Sequence, residues 1–185
     1  MKKFASAGLV FSLFIVACQS NAQESPEMPS PQKEHQWLNK LVGEWDTEGE
    51  MQMGPGADPI KSTGTDSARM LGGFWLVSDV KGEVMGTSIE ARLTLGYDPA
   101  KKKYVGTWID SMTSYMWNYE GSVDDTGKIL TLNTEGPGFH GGGQMTKFKE
   151  VIEIKNKDER TFTSSFQEED GTWTKMMSVT YRRKK

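Results

Sequence analysis

Apolar and polar residues alternate in twos along most of the chain. Phe162, Ser164 and Phe166 alternate with Thr161, Thr163 and Ser165, and Trp173, Lys175, Met177, Val179 and Tyr181 alternate with Thr174, Met176, Ser178 and Thr180. Alternation of this length places successive side chains on opposite faces of an extended strand. Turn signals separate the strand-like runs: Gly54-Pro55-Gly56, Gly72-Gly73, Asp98-Pro99, Asp124-Asp125-Thr126-Gly127, Lys157-Asp158-Glu159 and Asp170-Gly171. Their spacing leaves room for about eight to ten short strands joined mostly by hairpins. Helical spacing occurs once, in His35–Val42, where Trp37, Leu38, Leu41 and Val42 share a face and Gly43 follows as a stop. The pattern predicts an all-β fold, a single antiparallel β-barrel with one short N-terminal helix. Closure is favoured because an open sheet of this size would leave two edges unpaired.

The first residues follow a different rule. Met1-Lys2-Lys3 is positive, and Phe4 to Ala17 is apolar or small and uncharged. This is the form of a signal peptide, too short for the roughly 20 residues of a spanning helix. Ile15-Val16-Ala17-Cys18 resembles the lipobox of bacterial lipoproteins, which implies that residues 1–17 are removed and Cys18 is acylated. A competing cleavage after Ser20-Asn21-Ala22 would discard Cys18. It is the single cysteine of the chain, so the mature domain has no disulfide. Acyl chains hold a protein at a membrane without spanning it. Gln19, rather than Asp, after the cysteine resembles the usual sorting signal for the outer membrane. Residues 18–34, rich in Gln, Ser, Asn, Glu and Pro, read as a disordered tether, and 35–185 as the barrel domain. The expectation is an exported protein on the periplasmic side of the envelope, with the membrane as a partner through Cys18.

Loss of Lys2 and Lys3 with the leader takes the formal charge from −3 to −5. Basic residues are interspersed with acidic ones until Arg182-Arg183-Lys184-Lys185, which reads as a solvated strand end, so no nucleic-acid partner is implied. Nothing in the sequence fixes an oligomeric state.

Leu41-Val42-Gly43-Glu44-Trp45 resembles the Gly-x-Trp signature of calycin barrels, in which a short helix leads into the first strand and the tryptophan plugs one end. Met70-Leu71-Gly72-Gly73-Phe74-Trp75-Leu76, Leu95-Gly96-Tyr97-Asp98, Lys102–Met112 and Val179-Thr180-Tyr181-Arg182-Arg183 extend the likeness. In order and spacing the chain from about His35 to Arg183 resembles the bacterial domain-of-unknown-function family 1579. That resemblance implies a calycin-like (lipocalin-like) barrel and leaves the activity open.

The phosphate-loop, His-Glu-x-x-His and Gly-x-Ser-x-Gly signatures are not in the sequence. Two histidines, His35 and His140, and no paired cysteines argue against a metal site or any resident cofactor. His140 lies in the glycine-rich run Gly136–Gly143, a poor setting for an axial heme ligand and a better one for a long loop over the barrel mouth. Of the eleven methionines only Met51-Gln52-Met53 has a copper-site spacing, and packing explains the rest.

Tyr104-x-Gly106-x-Trp108-x-Asp110 shares one strand face, and Tyr115-x-Trp117-x-Tyr119 another. Facing inward, they would line an aromatic-walled cavity carrying one carboxylate; facing outward, they would leave Val105, Thr107 and Ile109 as core. Arg69, Arg92 and Asp110 are charges inside strand-like runs, set either in solvent or against an anionic head group. The candidate ligand-binding residues are Arg92, Tyr104, Trp108, Asp110 and Trp117. Arg92 is chosen because Ala91, Leu93 and Leu95 form the opposite, apolar face. Three functions fit: a binding protein for a small apolar or amphipathic molecule, a structural or protein-interaction module with a filled barrel, and a hydrolase-like enzyme using a cavity carboxylate. Binding is the leading reading, and no residue is assigned a catalytic role.

Overall fold

The computed structural model describes residues 28–52, 54, 56–138 and 144–185. The leader, Cys18, the tether as far as Glu27, Met53 and His140 lie outside the described residues. Ten strands follow in order: β1 Gly43–Met51, β2 Ile60–Leu71, β3 Trp75–Val84, β4 Thr87–Asp98, β5 Lys103–Asp110, β6 Trp117–Val123, β7 Ile129–Pro137, β8 Met145–Asn156, β9 Glu159–Gln167 and β10 Trp173–Arg183. Each pairs antiparallel with its successor, and β10 returns to β1 in a register running from Trp45 opposite Arg183 to Met51 opposite Met177. The barrel is closed, so no strand of it keeps an unpaired edge.

The period-two pattern becomes an inside and an outside. In β1, Trp45, Thr47 and Gly49 are buried while Glu44, Asp46, Glu48 and Glu50 are exposed. The barrel belongs to the compact unit Pro31–Lys185; residues 28–30, at the end of the separate unit Met1–Ser30, are exposed.

One end of the barrel is capped. Helix α1 spans Lys33–Trp37 and tightens into a 3₁₀ turn over Leu38–Leu41. Trp37, Leu38 and Leu41 are buried against Ala68, Leu76, Leu95, Tyr104, Leu130, Leu132 and Ile152, which make this end an apolar core. Polar edges fix the cap: the indole of Trp37 donates to the Gly127 carbonyl at 2.8 Å, and the Tyr104 hydroxyl to the Glu34 carbonyl at 3.0 Å. The tryptophan expected to plug the end does so. Trp45 is 1% exposed, donates to the Leu41 carbonyl at 3.0 Å and carries the Arg183 guanidinium 4.1 Å above its ring.

The other end, uncapped among the described residues, carries the connections 85–86, 111–116 and 168–172. Between β3 and β4 the chain reverses in two residues, Met85 and Gly86, both with positive φ (52° and 76°).

Candidate ligand-binding lumen

Cross-strand register settles which faces point inward. Leu95 opposes Leu76 and Leu93 opposes Ser78, so odd residues of β4 face the interior. Arg92 is therefore outside. It pairs with Asp79 at 2.6 Å on the exposed surface, where a molecule in the lumen cannot meet it. The apolar face that recommended Arg92 is the interior face, and the arginine is on its back.

The other four candidates point inward, but not together. Tyr104 belongs to the capped end, where burial and the nearby Glu34 charge hold its hydroxyl well above the usual range. Asp110 closes β5 at the open end, six residues on, or roughly 20 Å of strand. Its oxygens are occupied: Oδ2 accepts from the Trp108 indole at 2.9 Å, and Oδ1 from the backbone N–H groups of Met112 and Thr113 at 2.8 and 2.9 Å. This is the geometry of a side chain capping a turn. Trp108 and Trp117 oppose one another across β5 and β6. The Trp117 ring meets Phe148 edge-on at 5.0 Å and lies against Gly136, where a Cβ would sit 2.2 Å from the ring. Glycine at 136 is what lets this ring lie along the wall.

Between the apolar cap and this aromatic mouth lies a belt of buried polar groups absent from the candidate residues. Asp66 on β2 is 2% exposed, accepting from the Ser78 hydroxyl at one oxygen and the Arg160 guanidinium at the other. Arg160 reaches across the β1–β10 seam to do so, its guanidinium 4.8 Å from the Trp45 ring and 4.3 Å from Tyr181. Burial pushes the Asp66 carboxyl above its ordinary range, with Arg160 and Ser78 pulling it back.

Glu150 on β8 has no such ion partner. The Ser164 hydroxyl donates to Oε1 at 3.0 Å, while among the described residues the buried Oε2 has no hydrogen-bond partner, nor have Thr134 Oγ1 and Arg160 Nε. Burial pushes Glu150 up to about 8, opposed only by Ser164. At neutral pH the carboxyl therefore mostly keeps its proton.

Tyr119 on β6 and Tyr181 on β10 lie deep among protein atoms, which raises both phenols, Tyr181 to about 12. Both nevertheless keep part of their surface accessible, as do the inward-facing, mid-strand Leu93, Phe162 and Val179. Two clefts open at the surface: about 410 Å³ at the capped end, lined by Lys33, Trp37, Tyr97, Lys102 and Tyr104, and about 380 Å³ beside Trp173, lined by Asn133, Thr134, Glu135, Lys147 and Phe148.

The barrel's sequence matches a family model described as "Protein of unknown function (DUF1579)" over residues 30–183. The chain belongs to the DUF1579 family. The solved structures similar to this DUF1579 chain are calycin-like barrels. Rv2717c from M. tuberculosis aligns with 84% of this chain and 100% of its own, at a TM-score of 0.61 and 12% identity. The S-type phycobiliprotein lyase CPES from Guillardia theta aligns with 84% of this chain and 99% of its own, at a TM-score of 0.55 and 14% identity. At such identities the likeness is one of fold alone. No curated protein matches the DUF1579 chain by sequence.

Proposed function

We propose that this DUF1579 protein binds a small apolar or amphipathic molecule inside its barrel. The observation that carries the reading is the accessible surface of Tyr119, Tyr181, Phe162 and Val179 deep in the interior, which a barrel filled for structural reasons would have closed. The wall chemistry agrees: aromatic and aliphatic faces with a few buried polar atoms, two of them unpartnered carboxyl and hydroxyl oxygens, make the mixture typical of small-molecule pockets. One fold neighbour is by name a phycobiliprotein lyase, a precedent for this barrel outside a purely structural role.

A polarity-sensitive apolar dye tests the reading. Saturable fluorescence enhancement is expected, and Val179→Trp, which fills the lumen beside Phe162, is expected to abolish it while leaving the thermal transition in place. Dye binding that survives the filling substitution would put the site outside the barrel and end the proposal.

We further propose that residues 1–17 direct export and that an acyl group on Cys18 anchors the protein to the outer membrane from the periplasmic side. The apolar run, the lipobox-like Ile15-Val16-Ala17-Cys18 and the solitary cysteine support this. Cys18→Ser is expected to move the protein from the membrane fraction to the soluble one. Unchanged membrane association would contradict it.

A further inference from the structure

The belt around Glu150 narrows the ligand chemistry, an inference that rests on the lumen being a binding site. Glu150 and Thr134 are 5% and 7% exposed, and each presents an oxygen without a partner. Tyr119 stands next to Thr134: Glu120 opposes Asn133 on the neighbouring strands, and the Trp117 ring lies on Gly136. Glu150, opposite Leu132, is one strand further on with the same inward phase. Among the described residues the Tyr119 hydroxyl makes no hydrogen bond either. Tyr119, Thr134 and Glu150 thus sit on three adjacent strands with the same inward phase, and the Glu150 charge acts on the Tyr119 phenol.

The cations of the neighbourhood are engaged elsewhere. Arg160 is held by Asp66. Lys147 and Lys149, on the same strand as Glu150, have the outward phase, and Lys149 lies 4.2 Å over the Trp173 ring. The anionic and hydroxyl groups near the belt are Ser164 on β9, Tyr119 on β6 with Asp110 behind it, and Tyr181 on β10. Among the described residues no cation partners the buried Glu150.

We propose that this belt receives the protonated head of a primary amine, its three N–H donors going to Glu150 Oε2, Thr134 Oγ1 and Tyr119 Oη, and its apolar tail running along Trp117 and Phe148 toward the mouth. A primary ammonium has three donors for these three acceptors. Charge-assisted hydrogen bonds and nearby aromatic rings favour a cation there. The amine arrives protonated, and the proton that leaves Glu150 passes to solvent. A neutral alcohol would satisfy one oxygen and leave the acid without its counter-charge.

The test is calorimetric titration of the purified full-length protein with decylamine, decanol and decanoate, alongside displacement of the apolar dye. Decylamine is expected to bind about tenfold or more tighter than decanol, a difference of one charge-assisted contact, with decanoate weakest. Near pH 7 its heat should depend on the buffer's ionisation enthalpy, reporting the released proton. Glu150→Gln should erase the preference while decanol and dye still bind, and Thr134→Val should weaken decylamine alone. Equal binding of decylamine and decanol, or a preference that survives Glu150→Gln, overturns the amine assignment and leaves the lumen reading intact. Failure of dye and all three probes overturns both.

Discussion

Glu150 holds its proton to about pH 8 because folding removes its water and supplies one serine hydroxyl in return. In the unfolded chain it titrates near 4.5. Between these values the folded state binds more protons than the unfolded state. The contribution to stability is therefore full below about pH 4.5 and is lost as pH rises to about 8, at no more than about 1.4 kcal/mol per pH unit. Asp66, shifted the same way, adds the same sign. Urea unfolding between pH 5 and 8 should show stability falling with pH, and Glu150→Gln should flatten the slope; a rising wild-type curve would contradict the burial. Arg160 offers a second test. Arg160→Met strands the Asp66 carboxyl and should cost about 3–5 kcal/mol, while adding Asp66→Asn should recover part of the loss in a double-mutant cycle.

These residues were legible in part. Arg160 continues the phase of Phe162, Ser164 and Phe166, and Glu150 that of Phe148 and Ile152, so each could have been read as interior from strand alternation. Arg92 stands out of phase with Ala91, Leu93 and Leu95, and for that reason faces solvent. A charge in step with the apolar face is the informative one. The partner across the barrel, Asp66 for Arg160, was not legible, because 94 residues of chain separate them and only closure brings them together.

Among the elements, strands were the easiest to foresee and a two-residue turn marked by a lone glycine the hardest. The reversal at Met85-Gly86 puts a methionine at φ 52°, in the left-handed region that favours Gly, Asn and Asp in such two-residue hairpins. Met85→Asn should stabilise the fold by up to about 1 kcal/mol, seen as a higher denaturation midpoint. An unchanged or lower midpoint would mean that the exposed Met85 side chain contributes more than its backbone costs. The cap is fixed by burial rather than by helix length. The five-residue α1 would not persist alone, whereas Leu38 and Leu41 have no exposed surface. Leu41→Ala should cost about 2–5 kcal/mol by chemical denaturation. A loss below about 1 kcal/mol would mean that the cap is dispensable.

At the scale of the whole molecule, the barrel is graded along its axis: an apolar plug, a polar belt, then an aromatic mouth. Closure and the single leading helix followed from alternation and edge avoidance, but the gradient depends on which residues share a level around the tilted strands, and no single strand reveals that. Native mass spectrometry of the protein purified from its source cells, followed by organic extraction of whatever leaves it, addresses the lumen most directly. A discrete bound mass in the small-molecule range, lost on unfolding and absent from Val179→Trp, is the expected result. A bare polypeptide mass from a protein that also takes up no apolar dye would contradict the binding role.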